Sequence, residues 1–142
     1  DTLAFLDQVY RSHNPSVLWT KHRWAYTQQN ISGPMNLTDN QTVYQHPWVS
    51  SHLKTFRAGK LKRVPAKNFY DENGNWIMIA CDQTVFLPMM HMCATNNERM
   101  VYLDHVCYHY NIDLEKPNLY HNDRSYQQRD MALWVRERGF LE

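Results

Sequence analysis

Residues 47–63 open with Pro47 and then repeat apolar side chains at Val49, Leu53 and Phe56. Proline suits the first turn of a helix, because the N–H it lacks would have no partner there. The three apolar positions recur at helical spacing, so the segment predicts an amphipathic helix with one buried stripe. Its other faces carry Ser51, His52, Lys54, Arg57, Lys60 and Lys62. On that helix Lys54, Arg57 and Lys60 are exposed, while Leu53 and Phe56 are buried. Trp48, His52 and Arg57 then form an aromatic and cationic ledge suited to a polar, anionic or ring-shaped ligand. A solvated basic face without a ligand is the plain alternative.

The remaining segments alternate less regularly. Leu3, Leu6, Val9 and Tyr10 give residues 2–12 one apolar helical face, stopped by Asn14-Pro15. Residues 16–20 and 23–27 are short, β-branched and aromatic, and read as two strands. Residues 29–42 form a polar loop punctuated by Gly33-Pro34. Asn73-Gly74, between Phe69-Tyr70 and Trp76-Ile77-Met78-Ile79, is a hairpin signal. Asp82 stands at the N-cap position of a helix carrying Val85, Phe86, Met89, Met90 and Cys93. Residues 100–103 and 106–110 add two strands, 113–123 a loop, and 124–138 a last helix stopped by Gly139. This order predicts one mixed α/β domain over residues 1–142, a short mixed sheet with packed helices.

Composition narrows the function classes. At 43% apolar and 20% charged residues, the 142-residue chain is globular, not disordered. Its net charge of +1 gives no general attraction to nucleic acid or anionic membrane. The basic run from Lys54 to Arg63 also lacks the aromatic interleaving of a nucleic-acid surface. No apolar run approaches the roughly 20 residues of a transmembrane helix. Cys81, Cys93 and Cys107 are odd in number and lack C-x-x-C spacing, which supports neither a disulfide framework nor a zinc ribbon. Unpaired thiols fit a reducing, cytoplasmic compartment. Sequons at Asn30, Asn36 and Asn40 keep a lumenal location open. His105 and His109 have the spacing of a helical zinc pair, but in a strand-like run that spacing separates them.

The run from Pro47 through Trp48, Ser51, His52, Lys54, Phe56 and Arg57 to Gly59 resembles a segment of a group of family 2 glycosyltransferases, enzymes of the GT-A fold. Asp71-Glu72-Asn73-Gly74-Asn75-Trp76, the run Asp82 to Met92 and the run Val101 to Asn111 are similar to further segments of that family, in the same order. Thr2 to Tyr10 is similar to the helix that follows the family's acidic metal motif. The likeness covers residues 1–112 and leaves the loop and last helix of 113–142 outside it. It implies the acceptor-side half of a GT-A domain, with nucleotide-binding βα units ahead of Thr2. The opening at Asp1, without an initiator Met, reads the same way.

That resemblance implies transfer of a sugar from a nucleotide-sugar donor to a hydroxyl of a glycan or other acceptor, with inversion. Such chemistry needs a carboxylate to take the proton of the attacking hydroxyl. It also needs neutralisation of the departing diphosphate, usually by Mn or Mg. Asp82 matches the family's base; capping its own helix is the other role open to it. Asp1 stands where a residue of the acidic metal motif would, and His109 matches the late histidine that completes the metal shell in some GT-A enzymes. One carboxylate holds such ions poorly, so no metal is expected on this chain alone. His91 departs from the family's glutamate. Trp48 and Trp76 are candidate sugar-stacking platforms, and Ser51, His52 and Arg57 candidate contacts to donor or acceptor. The alternative is a non-catalytic carbohydrate- or protein-binding module that keeps the half-fold.

Overall fold

The middle strand of the sheet is buried almost completely. Val17, Leu18, Trp19 and Thr20 are each at most 1% exposed. The computed structural model describes residues 1–25, 28–110 and 125–142. Its elements are α1 (Thr2–His13), β1 (Val17–Trp24), β2 (Lys54–Phe56), α2 (Ala58–Leu61), α3 (Cys81–Thr95), β3 (Met100–Tyr110) and α4 (Ser125–Arg138), with a 3-10 turn at Ala66–Phe69. The sheet order is β2-β1-β3, with β2 antiparallel and β3 parallel to β1.

Successive side chains of a strand point to opposite faces, and two apolar clusters follow. Leu18 joins Leu6 and Val9 of α1. Val17 and Trp19 belong to the larger cluster that holds Phe86, Leu87, Met89 and Met90 of α3 and Val135 of α4. Helices therefore cover both faces of the first half of β1, Val17 to Thr20, whereas further along Lys21 is half-buried and Arg23 exposed. The mixed α and β composition with a short mixed sheet agrees with the sequence. No helix among the described residues is long and apolar enough to cross a membrane.

Several local expectations change. The two strands expected at 16–20 and 23–27 are one, β1; residues 26 and 27 lie outside the described residues, as does the loop expected over 113–123. Residues 100–103 and 106–110 also fuse, into β3. Thr20 pairs with Leu103 but Lys21 with Val106, so Asp104 and His105 form a bulge. Leu3, expected on the buried face of α1, is 76% exposed and lies outside both clusters.

The largest change concerns 47–63, which is not one helix. Residues 47–53 are irregular, Lys54–Phe56 pair with Val17–Trp19 as β2, and helix returns only at Ala58–Leu61. Val49, Leu53 and Phe56 share no stripe, and Phe56 is 36% exposed. The open edge of β1 decides this. The Leu53 carbonyl accepts from the Thr20 N–H at 3.0 Å, and the Ser16 carbonyl from the Arg57 N–H at 3.0 Å. Tertiary pairing overrides a local periodicity that was only a preference.

The hairpin is likewise reduced to its turn. A single bridge joins Tyr70 and Trp76, while the Asp71 carboxylate accepts from the N–H groups of Asn73 and Asn75 at 2.9 and 2.8 Å. Gly74 takes φ 78° there, a value that favours glycine. Gly139, at φ 74°, ends α4 as expected.

Asp82 does not cap its helix. The N-cap of α3 is Ala80, in the left-handed region, and its carbonyl already accepts from Gln83 and Thr84. Asp82 sits within the first turn, and its side chain is free of capping duty.

Candidate functional site

Trp24 at the end of β1 pairs with Tyr110 at the end of β3. These are the carboxyl ends of two parallel strands, where open α/β sheets hold their ligands. The irregular run before β2 brings Trp48, Ser51 and His52 to the same place. The first turn of α3 adds Asp82 and Gln83. With His22, Ile31 and Gln128 these residues line a pocket of about 220 Å³.

Aromatic rings build its floor and walls. Tyr110 stacks on Trp24 at 6.1 Å between centroids and on His52 at 5.5 Å. His52 lies 6.4 Å from His22. His22 is 1% exposed and fully engaged: Trp24 Nε1–H donates to its Nε2 at 3.1 Å, and its Nδ1 faces Ser32 Oγ at 3.1 Å. An indole N–H only donates, so Nε2 accepts and the ring proton sits on Nδ1. Burial above all, helped by the charge of Lys54, holds His22 and His52 below the ordinary histidine value. Both imidazoles are neutral at pH 7 and serve as hydrogen-bonding groups.

Asp82 is the one carboxylate among the described lining residues, and no lysine or arginine is among them. Its Oδ2 accepts from Lys54 Nζ at 3.2 Å. Oδ1 carries no hydrogen bond from the described residues. Lys54 itself lies behind the wall, 11% exposed at its side chain, with Nζ 4.7 Å from the centre of the Trp48 ring.

The structure thus gathers Trp48, Ser51, His52 and Asp82 and leaves the other expected site residues elsewhere. Asp1 caps α1, accepting from the Leu3 N–H at 2.9 Å. His109 is exposed on β3. Among the described residues no three His, Cys, Asp or Glu side chains converge. Trp76 is 57% exposed and packs on Tyr70 at 4.4 Å, away from the pocket lining.

Three basic residues of 47–63 have structural partners, although Arg57, Lys60 and Arg63 also line one open surface pocket together. Lys60 and Arg63 both pair with Glu98, whose carboxyl is held down to about 2, chiefly by the Lys60 ammonium. Arg57 closes the end of α1: it donates to the Pro15 carbonyl at 3.2 Å and Asn14 Oδ1 at 2.6 Å, with its guanidinium 5.4 Å from the Tyr10 ring centre. Arg57→Ala is therefore expected to lower stability by about 1–2 kcal/mol, less than a buried pair would lose because the side chain is exposed. Thermal melting of the chain checks this, and a parent-like Tm would return Arg57 to the list of ligand contacts.

His22, Trp24, Gln83 and Tyr110 escape a sequence reading focused on 47–63, and Lys54, expected there on an exposed face, is instead nearly buried. Alternation within one strand puts His22 and Trp24 on the same face, a signal available beforehand. Tyr110 and Lys54 depend on strand register, which no local spacing encodes. The chain matches no protein-family model, no curated protein and no solved structure.

Proposed function

We propose that this chain is the acceptor-side part of an inverting glycosyltransferase, acting in the cytoplasm, with Asp82 as the general base. The observation that carries the reading is the chemistry of the described pocket lining: a single carboxylate among neutral imidazoles, two amides, a hydroxyl and aromatic rings, with no lysine or arginine among them. A sugar offers apolar ring faces and a rim of hydroxyls. Indole and phenol rings suit the faces, while His52, Ser51 and Gln83 have the donors and acceptors for the rim. No lysine or arginine is among the described lining residues, which supports reading the pocket as the acceptor's and leaving the donor to the nucleotide-binding units that the resemblance puts ahead of Thr2.

In the step proposed, the acceptor oxygen forms its bond to the anomeric carbon as the bond to the nucleoside diphosphate breaks on the opposite side. The hydroxyl proton passes to Asp82, and the diphosphate leaves with the bonding electron pair. Geometry first favours Asp82, whose free oxygen borders the space an acceptor would fill. The Mn or Mg that the resemblance implies would need ligands beyond the described residues, among which no three His, Cys, Asp or Glu side chains converge.

The full-length polypeptide should release nucleoside diphosphate from a panel of UDP- and GDP-sugars with Mn²⁺ and a glycan acceptor. Proton NMR of the product should show the anomeric configuration opposite to that of the donor. Retained configuration overturns the mechanism. Saturable glycan binding without any transfer favours the non-catalytic module. The 142-residue chain alone should show no micromolar affinity for these donors by calorimetry; tight binding would contradict an acceptor-side role.

A further inference from the structure

We infer that Lys54 is a positioning residue for Asp82, anchoring one carboxylate oxygen so that the other stays turned to the acceptor. This rests on the reading of Asp82 as the base.

The ammonium of Lys54 lies between two rings, 4.7 Å from the centre of Trp48 and 5.6 Å from that of Phe86. Its backbone is fixed by pairing with Trp19 in the sheet. A cation so enclosed needs a partner, since transfer of an unpaired charge from water is very costly. Among the described residues Asp82 Oδ2 at 3.2 Å is its one carboxylate contact. Burial draws the ammonium below its ordinary pKa, and the Asp82 charge acts against that.

The pair is asymmetric in exposure. The Lys54 side chain is 11% exposed and that of Asp82 32%. One end is thus held by packing and the other opens on the pocket. A short acid on the first turn of a helix has more than one rotamer, and the fixed ammonium selects among them. A purely structural ion pair would behave differently: losing one member would lower stability but leave the turnover of the folded molecules unchanged. Misplacing a reacting group by about 1 Å lowers rate by about a hundredfold with little effect on binding.

Two measurements separate this inference from the reading beneath it. In the 142-residue chain, the Lys54 side-chain resonances should titrate at lower pH in Asp82→Asn than in the parent, because the carboxylate that supports the charge is gone. An unmoved titration overturns the inference without any assay of activity. In the full-length polypeptide, with UDP- or GDP-sugar and acceptor, Lys54→Met should lower kcat about 10–100-fold with KM for both substrates within about threefold, and Lys54→Arg should recover most of the loss. Parent-like kcat in Lys54→Met beside an inactive Asp82→Asn overturns the positioning role and leaves the base. Full activity in Asp82→Asn overturns the base itself. Should Lys54→Met not fold, the titration, which keeps Lys54 in place, still decides.

Discussion

With Asp82 as the proposed base, Asp82→Asn is expected to lower glycosyl transfer by the full-length polypeptide by about 10²–10⁴-fold, the usual contribution of a positioned acid or base. Donor binding should be nearly unchanged, since no lysine or arginine is among the described residues lining the pocket that holds Asp82. The amide keeps the size of the side chain and can still accept a hydrogen bond from Lys54. What it loses is the capacity to take a proton. The helix start is not at stake, because Ala80 and not Asp82 occupies the cap of α3. Some stability should be lost all the same, because Lys54 then lacks its counter-charge. The kcat and the calorimetric affinity for the donor, measured side by side, decide the matter. Turnover left intact with a lowered Tm would mean that Asp82 serves only as the partner of Lys54.

Trp19→Ala should be the most damaging single change to the fold. Trp19 is 1% exposed in the middle of β1, and truncating a buried Trp or Phe costs about 3–5 kcal/mol. Its Nε1–H also donates to the Gly33 carbonyl at 2.8 Å. Domains of this kind hold about 5–15 kcal/mol in total, so much of the margin goes. The urea midpoint should fall with little change in slope. The effect reaches the pocket, because the Gly33 segment carries Ser32, which faces the His22 ring. Trp19→Phe keeps most of the volume but leaves the Gly33 carbonyl without its donor, and should lose about 1–3 kcal/mol. A Phe variant as stable as the parent would show that the indole N–H contributes nothing.

The helices were legible where periodicity and their end signals agree with tertiary packing. α1 runs from Asp1 to Asn14, α3 shows its apolar run, and α4 stops at Gly139. β1 was legible from its β-branched and aromatic residues, though split in two. The error at 47–63 has one cause. Val49, Leu53 and Phe56 carry a helical spacing, but the bonds that win are made to Ser16 and Thr20, distant in sequence. Half of the site followed from motif order: Trp48, Ser51, His52 and Asp82 do converge. Asp1 and His109 follow from the resemblance to the family's metal motif and late histidine, and Arg57 and Trp76 from the cationic and aromatic chemistry that suits such ligands. Each has a local partner or an exposed position that no one-dimensional pattern reveals. Lys54 was read as a solvated charge because its burial arises from the strand it joins.

The parallel pairing of β1 with β3 has a consequence in time. Between these two strands the chain must complete β2, α2 and α3, so the sheet closes only after most of the described fold exists. Pairings this distant along the sequence slow folding, because the entropy of closing the intervening chain is lost before the contacts form. Until then the Val17–Trp19 part of β1 stands with apolar side chains on both faces and one edge unpaired, the kind of segment other chains add to. The feature that makes β1 the best-buried strand of the finished molecule also makes it the most vulnerable one during assembly.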